Sequence, residues 1–94
     1  MQITDVRMRK VDNGSRLKAV ATITFDNVFV VHELRVIEGT NGLFVAMPNR
    51  KNNKGLFKDI AHPIEKSMRE EIERVVLDKY NSGDLEEASA EDEE

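Results

Sequence analysis

The stretch MPNRKNNKGLFKDIAHP, residues 47–63, separates two kinds of sequence pattern. Before it, apolar residues recur at the spacing of β-strands, and after it they recur at the spacing of one helix. A run rich in carboxylates closes the chain. These patterns predict an α+β fold: a small antiparallel β-sheet of about four to five strands, one C-terminal amphipathic helix and a disordered acidic tail.

The centre of this stretch is strongly basic. Between Arg50 and Lys58 lie four cations, two asparagines and a glycine, with no acid among them. Four such charges would be costly to bury without partners, so the segment is predicted to be a surface loop. A positive loop of this kind is a candidate site for anions, and phosphate is the anion that we expect it to bind.

Two interpretations of the loop compete: a solvated connection, or a contact surface for nucleic acid. In the second, Arg50 is the best candidate for a specific contact, since its planar fork can grip a phosphate or a guanine edge. The lysines would act as point charges on the backbone, and the asparagines could bond phosphates or adenine edges. The predicted nucleic-acid-binding residues are Arg50, Lys51, Lys54, Lys58, Asn49, Asn52 and Asn53.

The order of residues in this stretch resembles the SpoVG family (septation or stage V sporulation protein G). The likeness covers residues 1 to about 80 and is carried by Met47-Pro48-x-Arg50-Lys51, by Gly55-x-Phe57-x-Asp59-Ile60-Ala61-His62-Pro63-Ile64 and by the opening Ile3-Thr4-Asp5-Val6-Arg7. Proteins of that family are small bacterial regulators that bind DNA, and in some members RNA.

The resemblance implies a role in gene expression and in septation or sporulation, with Arg50 and Lys51 as the matched basic pair that contacts nucleic acid. Asp59 and Pro63 match as well and are interpreted as architectural. The chain departs from the family at Lys54 and Leu56, where relatives often carry acids. The loop of this chain is therefore more basic than the loop usual in the family, which favours electrostatic binding over sequence-specific binding.

Length and composition allow one domain, predicted to span residues 1–82, followed by the disordered tail at residues 83–94. All 14 Lys and Arg lie at or before Lys79 together with 11 of the 18 acids, so residues 1–80 carry +3. The remaining seven acids give the tail −7. Cysteine is absent and no apolar run is long enough for a membrane span, which favours a cytoplasmic protein with no membrane partner.

Strands are predicted over residues 3–11, 17–25, 28–36 and 43–47, with tight turns at Asn13-Gly14 and Asp26-Asn27 and a turn-rich link at residues 38–42. The third strand opens with apolar side chains on both faces: Val28 and Val30 on one, Phe29 and Val31 on the other. A single helix can cover only one face of a sheet. The uncovered face therefore predicts a homodimer.

The helix is predicted to begin at Pro63, where the missing N–H costs nothing, and to end at Gly83 as a left-handed cap. His62 is expected near its start with a structural role, and His32 is expected to be partly buried in the third strand. The predicted apolar stripe of the helix consists of Ile64, Met68, Ile72, Val75, Val76 and Tyr80.

No arrangement in the sequence indicates catalysis. The two histidines lack metal-ligand spacing, and Asp59 and His62 have no nucleophile beside them. No phosphate-cradling glycine motif is present. We therefore expect no enzymatic activity, no cofactor, no metal and no small-molecule substrate. The alternative function is that of a protein-binding adaptor in cell division, acting through strand edges or the apolar sheet face without nucleic acid.

Overall fold

The computed structural model describes residues 1–11 and 14–83, and it confirms the predicted α+β fold. A four-stranded sheet is followed by a small two-stranded sheet and one C-terminal helix. The predicted tail from Asp84 onward and Asn13 of the first turn lie outside the described residues. The elements are β1 (Ile3–Lys10), β2 (Leu17–Phe25), β3 (Phe29–Gly39), β4 (Gly42–Ala46), β5 (Asn49–Lys51), β6 (Phe57–Asp59) and α1 (Lys66–Ser82).

The larger sheet is an antiparallel meander in the order β1-β2-β3-β4. The predicted turn between β2 and β3 is confirmed: Asp26 and Asn27 have φ of 52° and 56°, values that their short polar side chains tolerate. Strand β3 runs past the predicted end at residue 36, and Gly39 pairs with Gly42. The predicted link at residues 38–42 contains the turn but is shorter than predicted, because Gly39 and Gly42 belong to the strands and only Thr40 and Asn41 lie between them.

A β-bulge in β3 keeps its apolar side chains on one face. Ile23 pairs with Val31 but Ala21 pairs with Leu34, so two residues of β3 stand opposite one residue of β2. Glu33, one of the two, has φ of 69°. The extra residue resets the alternation: Leu34 and Val36 belong to the hydrophobic core, and Val31 packs against it from the same face.

His32 lies on the face of the sheet opposite the core. Its Nδ1 lies 3.3 Å from the Thr22 hydroxyl oxygen, and the residue is solvent-exposed. The prediction of a partly buried His32 is therefore wrong, since the residue follows Val31, which packs against the core, and successive strand residues point to opposite faces.

Helix α1 packs over one face of the larger sheet, where Ile72 and Val76 are buried among the core side chains. Met68, Leu77 and Tyr80 pack at the edge of the same core. Leu77 was missing from the predicted stripe. The other core residues are Met47, which directly follows β4, and the following residues of the larger sheet: Met8, Ala19, Ala21, Ile23, Phe25, Leu34, Val36 and Val45.

The helix begins three residues later than predicted. Its N-cap is Glu65, whose backbone is extended (φ −101°, ψ 137°), so Pro63 lies outside the helix. Ile64 is 94% exposed, and its predicted place in the apolar stripe is wrong. Helical periodicity starts only at Lys66, so Ile64 is not aligned with Met68. The predicted end is confirmed: Gly83 has φ of 79° and donates its N–H to the Tyr80 carbonyl oxygen.

Apolar side chains remain exposed on both faces near the start of β3. Val30 is 44% exposed on the face without a helix, and Phe29 is 59% exposed although it shares the helix face. Helix α1 does not extend over this end of the sheet. Within residues 1–11 and 14–83, no helix is both long enough and apolar enough to span a bilayer.

Candidate nucleic-acid interface

The predicted surface loop is an ordered β-hairpin. Strands β5 and β6 pair antiparallel and enclose a turn at residues 52–56, and we call residues 49–59 the basic hairpin. Every residue from Arg50 to Ile60 is exposed, so the hairpin projects from the domain. The predicted surface position is confirmed, but the segment is a hairpin and not only a loop, because backbone pairing orders it without burying its charges.

The turn of the basic hairpin is held by Asn52. Its Oδ1 accepts hydrogen bonds from the backbone N–H groups of Lys54 (2.9 Å) and Leu56 (3.0 Å). Its own N–H donates to the Leu56 carbonyl at 2.8 Å. Gly55, with φ of 80°, supplies the left-handed residue that the turn requires. Asn52, predicted to contact nucleic acid, thus has an architectural role in the free protein.

The base of the hairpin is fixed to the core. Asn49 donates from Nδ2 to the Met47 carbonyl at 2.9 Å, and Ile60 donates its N–H to the Pro48 carbonyl at 2.7 Å. Met47 and Pro48 are both buried. The hairpin therefore has a rigid attachment point, and of the three predicted asparagines only Asn53, exposed in the turn, has no hydrogen-bonding role within the hairpin.

The strand register divides the cations between the two faces of the hairpin. Arg50 pairs with Lys58, which puts two positive side chains directly opposite each other on one face. Lys51 pairs with Phe57 on the other face, and its Nζ lies 5.6 Å from the centre of the Phe57 ring. Lys54 lies in the turn.

None of these four cations forms an ion pair with a carboxylate of the described residues. Cations elsewhere do find such partners, as when Lys18 Nζ lies 3.4 Å from Glu38 Oε1. The hairpin thus presents positive charge that its own chain leaves uncompensated.

Phe57 belongs to this surface although it was not predicted as a site residue. It is 66% exposed and lies beside Lys58 in the chain and across from Lys51. An aromatic residue within a basic segment is a signal that the sequence did contain. The two-strand register that brings it against Lys51 was not visible there.

An apolar cavity of about 400 Å³ lies beside the hairpin base, between the sheet and the start of α1. His62, expected to have a structural role near the helix start, lines this cavity, and its Nδ1 lies 3.1 Å from the Pro63 carbonyl oxygen. The N-cap of the helix is Glu65, and no side chain bonds to the cap. The cavity is lined by Met1, Ile23, Phe25, Phe29, Val31, Leu34, Met47, Ile60, Ala61, His62, Pro63, Met68 and Ile72.

The part of the chain that contains the sheet, the hairpin and the helix matches a known family. The SpoVG family model aligns with residues 1–82. The chain belongs to the SpoVG family. The resemblance drawn from the motif around Arg50 and from the opening strand is therefore confirmed.

Curated SpoVG relatives from several bacteria match over most of their length. "Putative septation protein SpoVG" of Caldicellulosiruptor saccharolyticus is 56% identical over 82 residues, which cover 87% of this chain and 93% of the relative. The protein of the same name from Exiguobacterium sp. is 56% identical over 86 residues, covering 92% and 87%. That of Clostridium novyi is 58% identical over 80 residues, covering 85% and 80%.

Among the residues that the structure describes, no group of three or more His, Asp or Glu side chains is arranged to hold a metal ion. The basic hairpin, with its four exposed cations, is the candidate site of this SpoVG-family chain.

Proposed function

We propose that this SpoVG-family chain is a small cytoplasmic regulator that binds DNA through the basic hairpin, and RNA through the same phosphate chemistry. By binding, and not by catalysis, it would affect gene expression and septation or sporulation. The septation role is supported by the name that its relatives carry. The binding role is supported by the charges of the hairpin.

The observation that carries the proposal is the Arg50–Lys58 pair. Like charges directly opposite each other destabilise an antiparallel strand pair. In this exposed hairpin, no carboxylate of the described residues offsets the repulsion between Arg50 and Lys58. A phosphate between the two side chains would convert this repulsion into attraction, with Arg50 supplying two parallel N–H donors and Lys58 a point charge.

The remaining members of the site would extend this contact along a nucleic-acid backbone. Lys51 and Lys54 add charge on the second face and in the turn, and Asn53 offers an exposed amide. If all four cations meet phosphates, the logarithm of the binding constant should fall against the logarithm of salt concentration with a slope of about −3.6. Two hairpins acting together would give a slope of about −7.

We further propose a homodimer, formed through the apolar cavity beside the hairpin base. Ile60 lines the cavity and is 64% exposed. Ile64 follows the cavity-lining Pro63 in the chain and is 94% exposed. A surface with both a protruding apolar side chain and an apolar cavity can complement a second copy of itself, as a two-fold interface requires. The dimer would cover Phe29 and present two basic hairpins.

The test removes charge at the hairpin. Replacing Arg50 and Lys51 together with Ala should abolish most binding to promoter DNA, because half of the hairpin's cations are lost, while the helical circular dichroism stays unchanged. The matched control replaces Lys66 and Arg74 with Ala. These are also one Lys and one Arg, but each lies within 4.0 Å of a helix carboxylate, and DNA affinity should change little.

Retained affinity in a folded Arg50→Ala/Lys51→Ala protein would contradict the hairpin as the site and direct attention to Arg7, Arg9 and Lys10 of β1. The adaptor alternative makes a different prediction. Association with a protein partner through the apolar surface would persist at high salt and in the charge-removed variant, since apolar contacts are not screened.

A further inference from the structure

The basic hairpin exposes an aromatic ring that the fold does not use. Phe57 is 66% exposed and is not part of the hydrophobic core or of the apolar side chains packed against it. Because the ring is this exposed, its burial contributes little to the stability of the fold. The Lys51 ammonium lies over the ring, 5.6 Å from its centre.

The two faces of the hairpin offer different chemistry. The face with Arg50 and Lys58 offers only positive charge, which suits the phosphates of a duplex and of a single strand equally. The face with Lys51 and Phe57 combines a charge and a flat ring. In a duplex the faces of the bases are stacked on one another, so only an unpaired base can lie on such a ring.

We propose that Phe57 stacks on an unpaired base of a single-stranded nucleic acid while Lys51 contacts the adjoining phosphate. The base would take the ring face over which the ammonium lies, and the flexible Lys51 side chain would move from the ring to the backbone. This proposal rests on the proposed function and assigns it a preference: the hairpin should bind single strands more tightly than duplexes of equal length.

The experiment compares three labelled probes of about twelve nucleotides, a length within the range of one small binding site: single-stranded DNA, single-stranded RNA and duplex DNA. Binding of the full chain is measured by fluorescence anisotropy at one low salt concentration. Phe57→Leu removes the ring and keeps an apolar side chain. Single-strand affinity should fall about fivefold or more, as loss of one stacked base does, while duplex affinity stays within about twofold.

Two further variants make the result specific to stacking. Phe57→Tyr keeps the ring and should retain single-strand affinity. Leu56→Ala alters the neighbouring exposed apolar residue, 57% exposed on the same hairpin, and should change none of the three affinities. Light scattering on each variant reports the oligomeric state, which should be the same in all of them.

Loss of affinity for both single-stranded probes supports the proposal for DNA and RNA, and loss for one probe assigns it to that nucleic acid. Equal weakening of single strands and duplex, or no weakening at all, would overturn the stacking role and leave the proposed function intact. A change of oligomeric state in Phe57→Leu would overturn it by placing the ring in a protein interface. A wild-type chain that binds no probe would overturn both proposals.

Discussion

Lys58 links charge to stability at the scale of a single residue. It stands opposite Arg50 in the hairpin register. Lys58→Glu would replace a repulsive pair with an attractive one, so the free energy of unfolding should rise by about 0.2–1 kcal/mol at low salt. DNA affinity should fall at the same time, because a carboxylate then repels phosphate. Urea denaturation and anisotropy titrations of the same samples measure both effects.

Lys58→Gln is the control for that change. It removes the repulsion without adding an attraction, so its stability should lie between those of the wild type and Lys58→Glu. The differences should shrink in high salt, where exposed charges are screened. A Lys58→Glu protein that is less stable than the wild type would show that the repulsion between the two side chains is not felt in solution.

The residue types in the stretch were sufficient to predict an exposed basic segment, since four cations without an acid are costly to bury. They were not sufficient to assign roles to the asparagines. Asn49 and Asn52 were expected to face a ligand, but both bond to backbone groups. Asparagine side chains readily form hydrogen bonds with nearby backbone groups, and the turn geometry decides whether a given asparagine does so.

At the scale of one element, the hairpin turn depends on Asn52. Asn52→Ala removes the acceptor for two backbone N–H groups, so amide hydrogen exchange at Lys54 and Leu56 should become faster. Nucleic-acid affinity should weaken a few-fold because a looser hairpin loses more conformational entropy on binding. The slope of affinity against salt should not change, because no charge is lost.

Asn53→Ala is the matched variant, since it removes an exposed asparagine from the same turn. Its exchange rates at Lys54 and Leu56 should equal those of the wild type. If Asn52→Ala leaves these rates unchanged, the two side-chain hydrogen bonds do not hold the turn.

Regular alternation made the second strand the most predictable element. Its buried residues Ala19, Ala21, Ile23 and Phe25 lie at every second position. The third strand and the helix start were less predictable. The two-for-one pairing at Glu33 depends on tertiary register, and Pro63 is compatible both with a first helical turn and with the extended segment that precedes one.

At the scale of the whole molecule, the exposed apolar side chains around the cavity predict self-association. Ile64→Ser should weaken the proposed dimer by about tenfold or more, because each copy would otherwise bury an isoleucine side chain. The stability of the monomer should change little, since Ile64 is 94% exposed in the single chain. Sedimentation equilibrium over a range of concentrations measures the association.

Val28→Ser is the comparison for that variant. Val28 is 84% exposed but does not line the cavity, so its replacement should leave the association constant close to that of the wild type. Equal weakening by both substitutions would move the interface to the turn between β2 and β3. A wild-type protein that stays monomeric at all concentrations would contradict the proposed dimer.

The sequence predicted an uncovered apolar face on the sheet, and Val30 is exposed there, but it did not predict the apolar surface around the cavity. The helixless face carries exposed Val30, whereas the cavity lies on the helix face, beyond the start of α1. The cause is the late beginning of the helix, which leaves Phe29 without cover. The three-residue shift of the helix start thus determines which apolar surface is left for a second copy in the proposed dimer.

The two-for-one pairing in β3 limits how this chain can change length during evolution. Loss of Glu33 alone would remove the extra residue and leave a regular strand, in which Leu34 and Val36 still face the interior because each then lies an even number of positions from Val31. Loss or gain of one residue just after Leu34 would instead turn Val36 to solvent. Single-residue gaps among descendants of this sequence should therefore be tolerated at the bulge and at the hairpin tips, and eliminated by selection in the regular part of β3 that follows Leu34.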